Sequence, residues 1–171
     1  MERILVSACL MGQPVRFDGR AKPTAHPAFE RWRRERRLVS FCPEVSGGLL
    51  VPRPPAEIEP GATARDVLAG TAHIVTDTGA DATEFFLAGA RGALATARRH
   101  GIRVAILKEG SPSCGVHRVG DGTFGGTKVP GDGVTARLLA DHGVRVFSEA
   151  EIDAAEAYLG ELEGRPGRVS E

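Results

Sequence analysis

Residues 81–107 read DATEFFLAGARGALATARRHGIRVAIL. Residues 81–100 have the spacing of an amphipathic helix, because apolar side chains recur every three or four positions. Gly101 is of the residue type that commonly ends a helix, and residues 102–107 form an apolar run rich in β-branched side chains. A helix followed at once by such a strand is typical of a parallel sheet covered on both faces. The apolar face of the helix consists of Phe85, Phe86, Ala90, Leu94 and Ala97.

Four further apolar runs resemble this strand, at residues 4–10, 38–41, 73–75 and 144–147. Segments with helical spacing alternate with them, at residues 26–37, 134–142 and 149–162. The alternation predicts a single α/β domain over residues 1–163, with a mostly parallel five-stranded sheet and helices on both faces, in a Rossmann-like three-layer arrangement. The glycine-rich residues 115–133 are predicted to form a hairpin, and the proline-rich residues 51–61 an ordered arm. The polar residues 164–171 are predicted to be a frayed tail.

The composition limits the class of partner. The 171 residues carry 22 Lys and Arg against 22 Asp and Glu, so the chain has no net charge to attract a nucleic-acid polymer or an anionic membrane. A small-molecule substrate is therefore favoured, while the oligomeric state stays open. No segment approaches the roughly 18 apolar residues of a membrane span, and the first residues lack the pattern of a secretion signal. These features predict a cytoplasmic protein.

The three cysteines, Cys9, Cys42 and Cys114, are separated by 32 and 71 residues. An odd number of cysteines forms no complete set of disulfides, so thiolate chemistry is the expected use. Each cysteine follows a predicted strand, and the carboxyl ends of parallel strands meet at the sheet edge where ligands bind. The sequence therefore predicts that the three sulfurs share one metal or cluster site. The alternative is that each cysteine packs as a small apolar side chain.

The residue pattern alone leaves the kind of metal open. The chain contains no C-x-x-C pair, and three thiolates leave one coordination position free. This arrangement suits a catalytic zinc ion, or a 4Fe-4S cluster whose fourth iron has no protein ligand.

Four sequence runs carry a resemblance to a known family: VSACLMGQPVRFDGRAK at 6–22, CPEVSGGLLVPRPPAEI at 42–58, LKEGSPSCG at 107–115 and GVTARLL at 133–139. In order and spacing they closely resemble the bacterial thiouracil desulfurase family, and they include every cysteine. The resemblance implies a 4Fe-4S cluster on Cys9, Cys42 and Cys114, whose fourth iron takes the sulfur of a thiocarbonyl. The implied reaction converts a thiolated pyrimidine, of the thiouracil or thiouridine type, to its oxo form and releases the sulfur as sulfide. A cluster with one open iron is expected to be oxygen-sensitive.

The same resemblance implies catalytic roles for Glu44 and Ser111. Glu44 would deprotonate the attacking water or carry a proton to the ring, and Ser111 would donate a hydrogen bond to sulfur. Phe17 stands where the family motif leads us to expect a tyrosine, so any hydrogen bond from that phenol is absent here. Three residues of the motifs are predicted to bind the substrate: Ser7, Asp18 and Arg53. Further polar residues in or beside the motifs are Lys22, Glu57 and Lys108.

Two other classes of function are weighed against this one. Gly131, Gly133 and Ala136 spell G-x-G-x-x-A before a predicted helix, and the next strand ends near Glu149, as in a dinucleotide-binding oxidoreductase. Pro130 interrupts the strand that such a motif requires, and little chain follows for a complete dinucleotide domain. The second alternative is a non-catalytic module in which the cysteines bind structural zinc or sense redox state.

Overall fold

The structure, a computed structural model, describes residues 1–164. Its strands are β1 (Ile4–Ser7), β2 (Leu38–Phe41), β3 (Ala56–Ile58), β4 (Ile74–Thr76), β5 (Val104–Leu107), β6 (Arg118–Gly120), β7 (Lys128–Pro130) and β8 (Arg145–Ser148). Its α-helices are α1 (Pro27–Arg34), α2 (Pro43–Ser46), α3 (Ala64–Leu68), α4 (Thr83–Arg99), α5 (Val134–Asp141) and α6 (Ile152–Leu162). Four of these strands form a parallel sheet in the order β2-β1-β5-β8.

Helices cover both faces of this sheet. Successive side chains of a strand point to opposite faces, so the apolar residues of β1 need a helix layer on each side. Ile4 and Val6 of β1 pack with α1 and α6 on one face, where Trp32 is also buried. Leu5 packs with α4 and α5 on the other face. The predicted three-layer α/β fold is therefore confirmed.

The helix predicted at residues 81–100 is also confirmed as α4. Its buried face includes Phe86, Ala90 and Leu94. Gly101 follows the end of the helix with a φ of 61°, a left-handed conformation that favours glycine. The chain then turns directly into β5, as the sequence pattern requires.

The predicted number of strands in the parallel sheet is wrong by one. The run at 73–75 corresponds to β4, which pairs antiparallel with β3 in a separate two-stranded sheet. A parallel strand needs a connection with a helix that packs on the sheet. The helices before β4 are instead short, and they pack on other helices: α2 contacts α4, and α3 contacts α5. This segment therefore forms a layer of its own outside α4.

The hairpin predicted within residues 115–133 is confirmed, since β6 and β7 pair antiparallel. The β6 strand also contacts β3, which brings the hairpin over the carboxyl edge of the main sheet. None of the helices in residues 1–164 is long and apolar enough to cross a membrane. The tail predicted at 164–171 lies outside the described residues from position 165 onward.

Candidate functional site

The carboxyl ends of β1, β2 and β5 bring all three cysteines to one cavity. The chain leaves β1 in a 3₁₀ turn, Ala8–Met11, which carries Cys9 and shortens the strand predicted at 4–10. Cys42 directly follows β2, and the loop after β5 carries Cys114. The three side chains line a cavity of about 500 Å³ and form no disulfide.

Most of the other predicted site residues line the same cavity. They are Ser7, Glu44, Arg53, Ser111, Glu57 and Lys108. Asp18 is an exception, because its carboxylate accepts a 3.0 Å hydrogen bond from the Arg20 backbone N–H in a turn outside the lining. Lys22 also lies outside the lining, where its backbone N–H donates to the Cys9 carbonyl at 2.9 Å.

A second cavity, of about 400 Å³, lies between α5 and β8. Its lining includes His117, Asp132 and Tyr158 but none of the cysteines or other predicted site residues. The cavity lined by the cysteines is therefore the candidate site.

The thiols of this cavity are close enough to affect one another. Burial, followed by the neighbouring Cys42, raises the pKa of Cys9 to about 11. Burial also raises the pKa of Cys42, although hydrogen bonds from the backbone N–H groups of Val45 and Glu44 act to lower it. For Cys114, burial raises the pKa and a hydrogen bond with Ser7 opposes that rise. The thiols therefore carry protons at neutral pH, and a metal that binds them must displace those protons.

Ser7 is held in the orientation that this hydrogen bond needs. Its side chain is buried, and its Oγ accepts the backbone N–H of Lys108 at 3.0 Å. The hydroxyl proton is then available to the sulfur of Cys114. Ser7 therefore lies beside a candidate metal ligand, close enough to lower the pKa of that thiol.

A single zinc ion needs its protein ligands close together. Two sulfurs on one tetrahedral zinc lie about 3.8 Å apart, given Zn–S bonds of about 2.3 Å. Within residues 1–164, no three His, Cys, Asp or Glu side chains are arranged to hold one metal ion. A cluster binds each cysteine through a different iron atom, so it accepts more widely separated sulfurs. The three cysteines of the cavity match the number of protein ligands that a 4Fe-4S cluster with one open iron takes.

A dense set of hydrogen bonds shapes the loop that carries Ser111 and Cys114. The Ser111 Oγ accepts the backbone N–H groups of Ser113 at 3.2 Å and Cys114 at 2.7 Å. The Glu109 carboxylate accepts four backbone N–H groups around the same loop, at Gly110, Val116, His117 and Arg118. Burial raises the pKa of Glu109, but these N–H groups outweigh it and hold the pKa below its usual value. Glu109 is therefore an ionised anchor of the loop.

The first turn of α5 holds the same loop from the other side. The backbone N–H of Gly133 donates to Gly115 O at 2.8 Å, and that of Val134 donates to Pro112 O at 2.8 Å. The N–H of Thr135 donates to Ser113 O at 3.0 Å. In a dinucleotide-binding protein these N–H groups would face a pyrophosphate. Here the loop carbonyls already occupy them, which removes the support for the dinucleotide-binding alternative.

Glu44 and Arg53 form a buried ion pair in the cavity wall. The Arg53 Nε lies 3.2 Å from Glu44 Oε1, and the two side chains are 5% and 16% exposed. The same guanidinium donates to Val15 O at 2.9 Å and Leu50 O at 3.2 Å, which fixes its position. Burial raises the pKa of Glu44, although Arg53 opposes the rise. Arg53 thus pairs with Glu44. The Glu57 carboxylate binds the β6–β7 hairpin, where it accepts the backbone N–H of Phe124.

Several residues of the lining were missed by the sequence argument: Arg16, Asp77, Glu109, Phe124 and Lys128. Their places depend on how the hairpin and the β3–β4 sheet pack over the main sheet. No local sequence pattern reports such long-range packing. Arg16 and Glu109 are the two with a signal, since they lie inside the first and the third of the four motif runs.

The chain is similar to known proteins in sequence and in fold. Residues 4–151 match the family model described as 2-thiouracil desulfurase. An uncharacterized protein of Bacillus subtilis (strain 168), YbbK, is 48% identical over 153 residues, which cover 88% of this chain and 97% of YbbK. The solved structure of TudS, a [4Fe-4S]-dependent thiouracil desulfidase, matches with a TM-score of 0.86 and 44% identity, over 94% of this chain and 99% of that one. The chain therefore belongs to the 2-thiouracil desulfurase family.

Proposed function

We propose that this protein is an iron-sulfur enzyme that desulfurates thiolated pyrimidines, with a 4Fe-4S cluster held by Cys9, Cys42 and Cys114. The observation that carries the proposal is that these three cysteines line one cavity together with Glu44 and Ser111. Thiolates are the ligands that iron-sulfur clusters take in proteins. The similarity to TudS, a [4Fe-4S]-dependent thiouracil desulfidase, supports the same cofactor here.

The reaction that we propose is a hydrolysis. Water adds its oxygen to the thiocarbonyl carbon, the carbon-sulfur bond breaks, and the sulfur leaves as hydrogen sulfide while the oxo base forms. No electrons are gained or lost overall. When bound, the cluster would supply a soft Lewis acid that polarises the carbon-sulfur bond.

Glu44 is suited to handle the protons of this reaction. Its Oε1 binds Arg53, and among the described residues no partner is found for Oε2. The carboxylate is buried in the cavity wall, where it is sheltered from bulk water and close to Cys114. It can take a proton from the attacking water and return it to the departing sulfur or a ring nitrogen.

Ser111 is suited to donate a hydrogen bond. Its oxygen already accepts two backbone N–H groups, which leaves the O–H as its remaining group for a ligand. A fixed donor of this kind stabilises negative charge that develops on sulfur as the bond breaks. Arg53 and Ser7 then act through Glu44 and Cys114, which they contact.

The test is turnover by protein that has been loaded with iron and sulfide under anaerobic conditions. We expect sulfide and the oxo base from 2-thiouracil or from a 4-thiouridine derivative, in equal amounts. Cys114→Ser should lose iron and turnover together. If fully loaded protein releases no sulfide from a panel of thiolated bases, nucleosides and nucleotides, desulfuration is the wrong reaction. Loss of iron on exposure to air would support the open iron that the proposal requires.

We also propose that the protein works in the cytoplasm. All three cysteines are free thiols, and reduced thiols persist in that compartment. Fractionation of cells with an antibody against the chain would test this location.

A further inference from the structure

One aromatic side chain of the cavity has no role in the core of the protein. Phe124 lies in the connection between β6 and β7, next to Gly125 and Gly126, and its side chain lines the cavity. It is half-buried, yet it belongs to none of the three hydrophobic clusters of the described residues. Its ring therefore faces the cavity without an apolar partner in the core.

The backbone at Phe124 is strained for a residue with a side chain. Its φ is 60°, a left-handed conformation in which glycine is favoured and aromatic residues are uncommon. The structure contains one other non-glycine residue of this kind among residues 1–164, Arg36. Such strain at a cavity is a feature that functional sites share, because the surrounding contacts must maintain it.

Glu57 provides the contact that holds this conformation. The Phe124 backbone N–H donates to Glu57 Oε1 at 3.1 Å. The carboxylate lies flat against the hairpin, since a Cβ on Gly120 would lie 2.3 Å from Glu57 Oε2. Gly120 therefore has no room for a side chain. Because glycine has none, the Glu57 carboxylate can reach the loop. The backbone that carries the Phe124 ring is thus held by a contact within the protein.

The other two phenylalanines of the cavity lining are less suitable to face a ligand. The Phe41 ring packs on α4, where its Cζ would lie 3.2 Å from a Cβ on Gly92. Phe17 is 39% exposed at the mouth of the cavity. Phe124 is therefore the phenylalanine of the lining that is neither packed in the core nor among the exposed large apolar residues.

We propose that Phe124 is a specificity-determining residue that stacks on the face of the pyrimidine ring of the substrate. The inference rests on the proposed function and adds how the ring of the substrate is held. A flat heteroaromatic ring gains from contact with a flat aromatic side chain, and a backbone that is held in place beforehand lowers the entropy cost of binding. A stack holds the ring plane while leaving the sulfur free to point toward the cysteines.

The test compares Phe124→Gly with Phe124→Tyr and Phe124→Leu, with all proteins loaded with iron. Glycine suits the left-handed backbone, so Phe124→Gly should unfold at the same temperature as the wild type or higher. It should bind 2-thiouracil and uracil about 10-fold more weakly in anaerobic calorimetry, with a raised KM. Phe124→Tyr keeps the ring and should bind like the wild type. Phe124→Leu keeps the apolar bulk without the ring and should bind weakly.

Three results would overturn this inference. The first is a Phe124→Gly variant that binds both bases as tightly as the wild type. The second is a Phe124→Gly variant that unfolds at a lower temperature, since the ring would then serve the fold. The third is a wild type that binds neither base. A wild type that binds these bases but releases no sulfide would overturn the proposed reaction alone, and the comparison of variants would still decide the role of Phe124.

Discussion

Gly133→Ala tests whether the first turn of α5 holds the cysteine loop in place. Gly133 has a φ of −82° and a ψ of 165°, which alanine adopts without strain. An alanine side chain would nevertheless clash with the loop, because an added Cβ would lie 2.3 Å from Ser113 O and 2.8 Å from the Pro112 carbonyl carbon. Both contacts are with backbone, so the loop and the helix must move apart.

The size of the effect follows from what that movement breaks. Four backbone hydrogen bonds join the turn to the loop, donated by Gly133, Val134, Thr135 and Ala136. Losing two of them removes about 2 kcal/mol. Residual crowding in a packed region adds about 1 to 3 kcal/mol. We therefore expect the free energy of unfolding to fall by roughly 3 to 5 kcal/mol.

Urea unfolding and iron content measure the two consequences. Gly133→Ala should unfold at a lower urea concentration and retain less iron per chain, because the loop that moves carries Cys114. Gly160→Ala is the matched control, since nothing lies within 4 Å of a Cβ at that position in α6. The control should be more stable than the wild type by about 0.5 to 1 kcal/mol and keep its iron. A Gly133→Ala variant with wild-type stability and iron would refute the reasoning.

Four further changes separate the roles of the cavity residues. Glu44→Gln keeps an acceptor for Arg53, so we expect it to retain its iron while kcat falls by about 100-fold; loss of iron would mean that the carboxylate supports cluster assembly. Ser111→Ala should retain its iron and lose a smaller factor in kcat, on the order of 10-fold, because one hydrogen-bond donor is removed. Ser7→Ala should shift the cluster reduction potential, read by redox titration, to more negative values, and an unchanged potential would rule out the bond to Cys114. Glu109→Gln should be less stable than the wild type at pH 7, and the difference should shrink as the pH falls below about 4.5 and the wild-type carboxylate is protonated. The direction of this last change follows because a lowered folded-state pKa stabilises only while the group is ionised, and pH-dependent urea unfolding measures it.

The meeting of the three cysteines could be predicted because it depends on topology alone. Each follows a strand, and parallel strands end at one edge whatever the details of packing. Glu44 was indicated by the family resemblance instead, and it lies two residues after Cys42 in the motif and lines the same cavity. Asp18 lies outside the lining, where its carboxylate accepts the backbone N–H of Arg20, and its role in substrate binding stays a prediction.

The fifth predicted strand shows why local patterns are insufficient. The run at 73–75 has the composition of a buried strand, and β4 is indeed mostly buried. Its partner depends on α2 and α3, which are too short to act as crossover helices. The role of Phe124 could not be predicted for a related reason. Its contact with Glu57 joins residues 67 positions apart, and no periodicity in the sequence reports it.

The two carboxylates beside the cysteine loop show how partners decide chemistry within one cavity. Glu109 accepts four backbone N–H groups, which hold its pKa down and leave it ionised. Glu44 is more deeply buried and binds one guanidinium, and its burial raises the pKa in spite of Arg53. A carboxylate saturated by fixed donors has no reason to exchange a proton, whereas one with a free oxygen and a raised pKa can both take and give one. The same residue type therefore anchors the loop at one position and, at the other, has the raised pKa that suits the proton transfer we propose for Glu44.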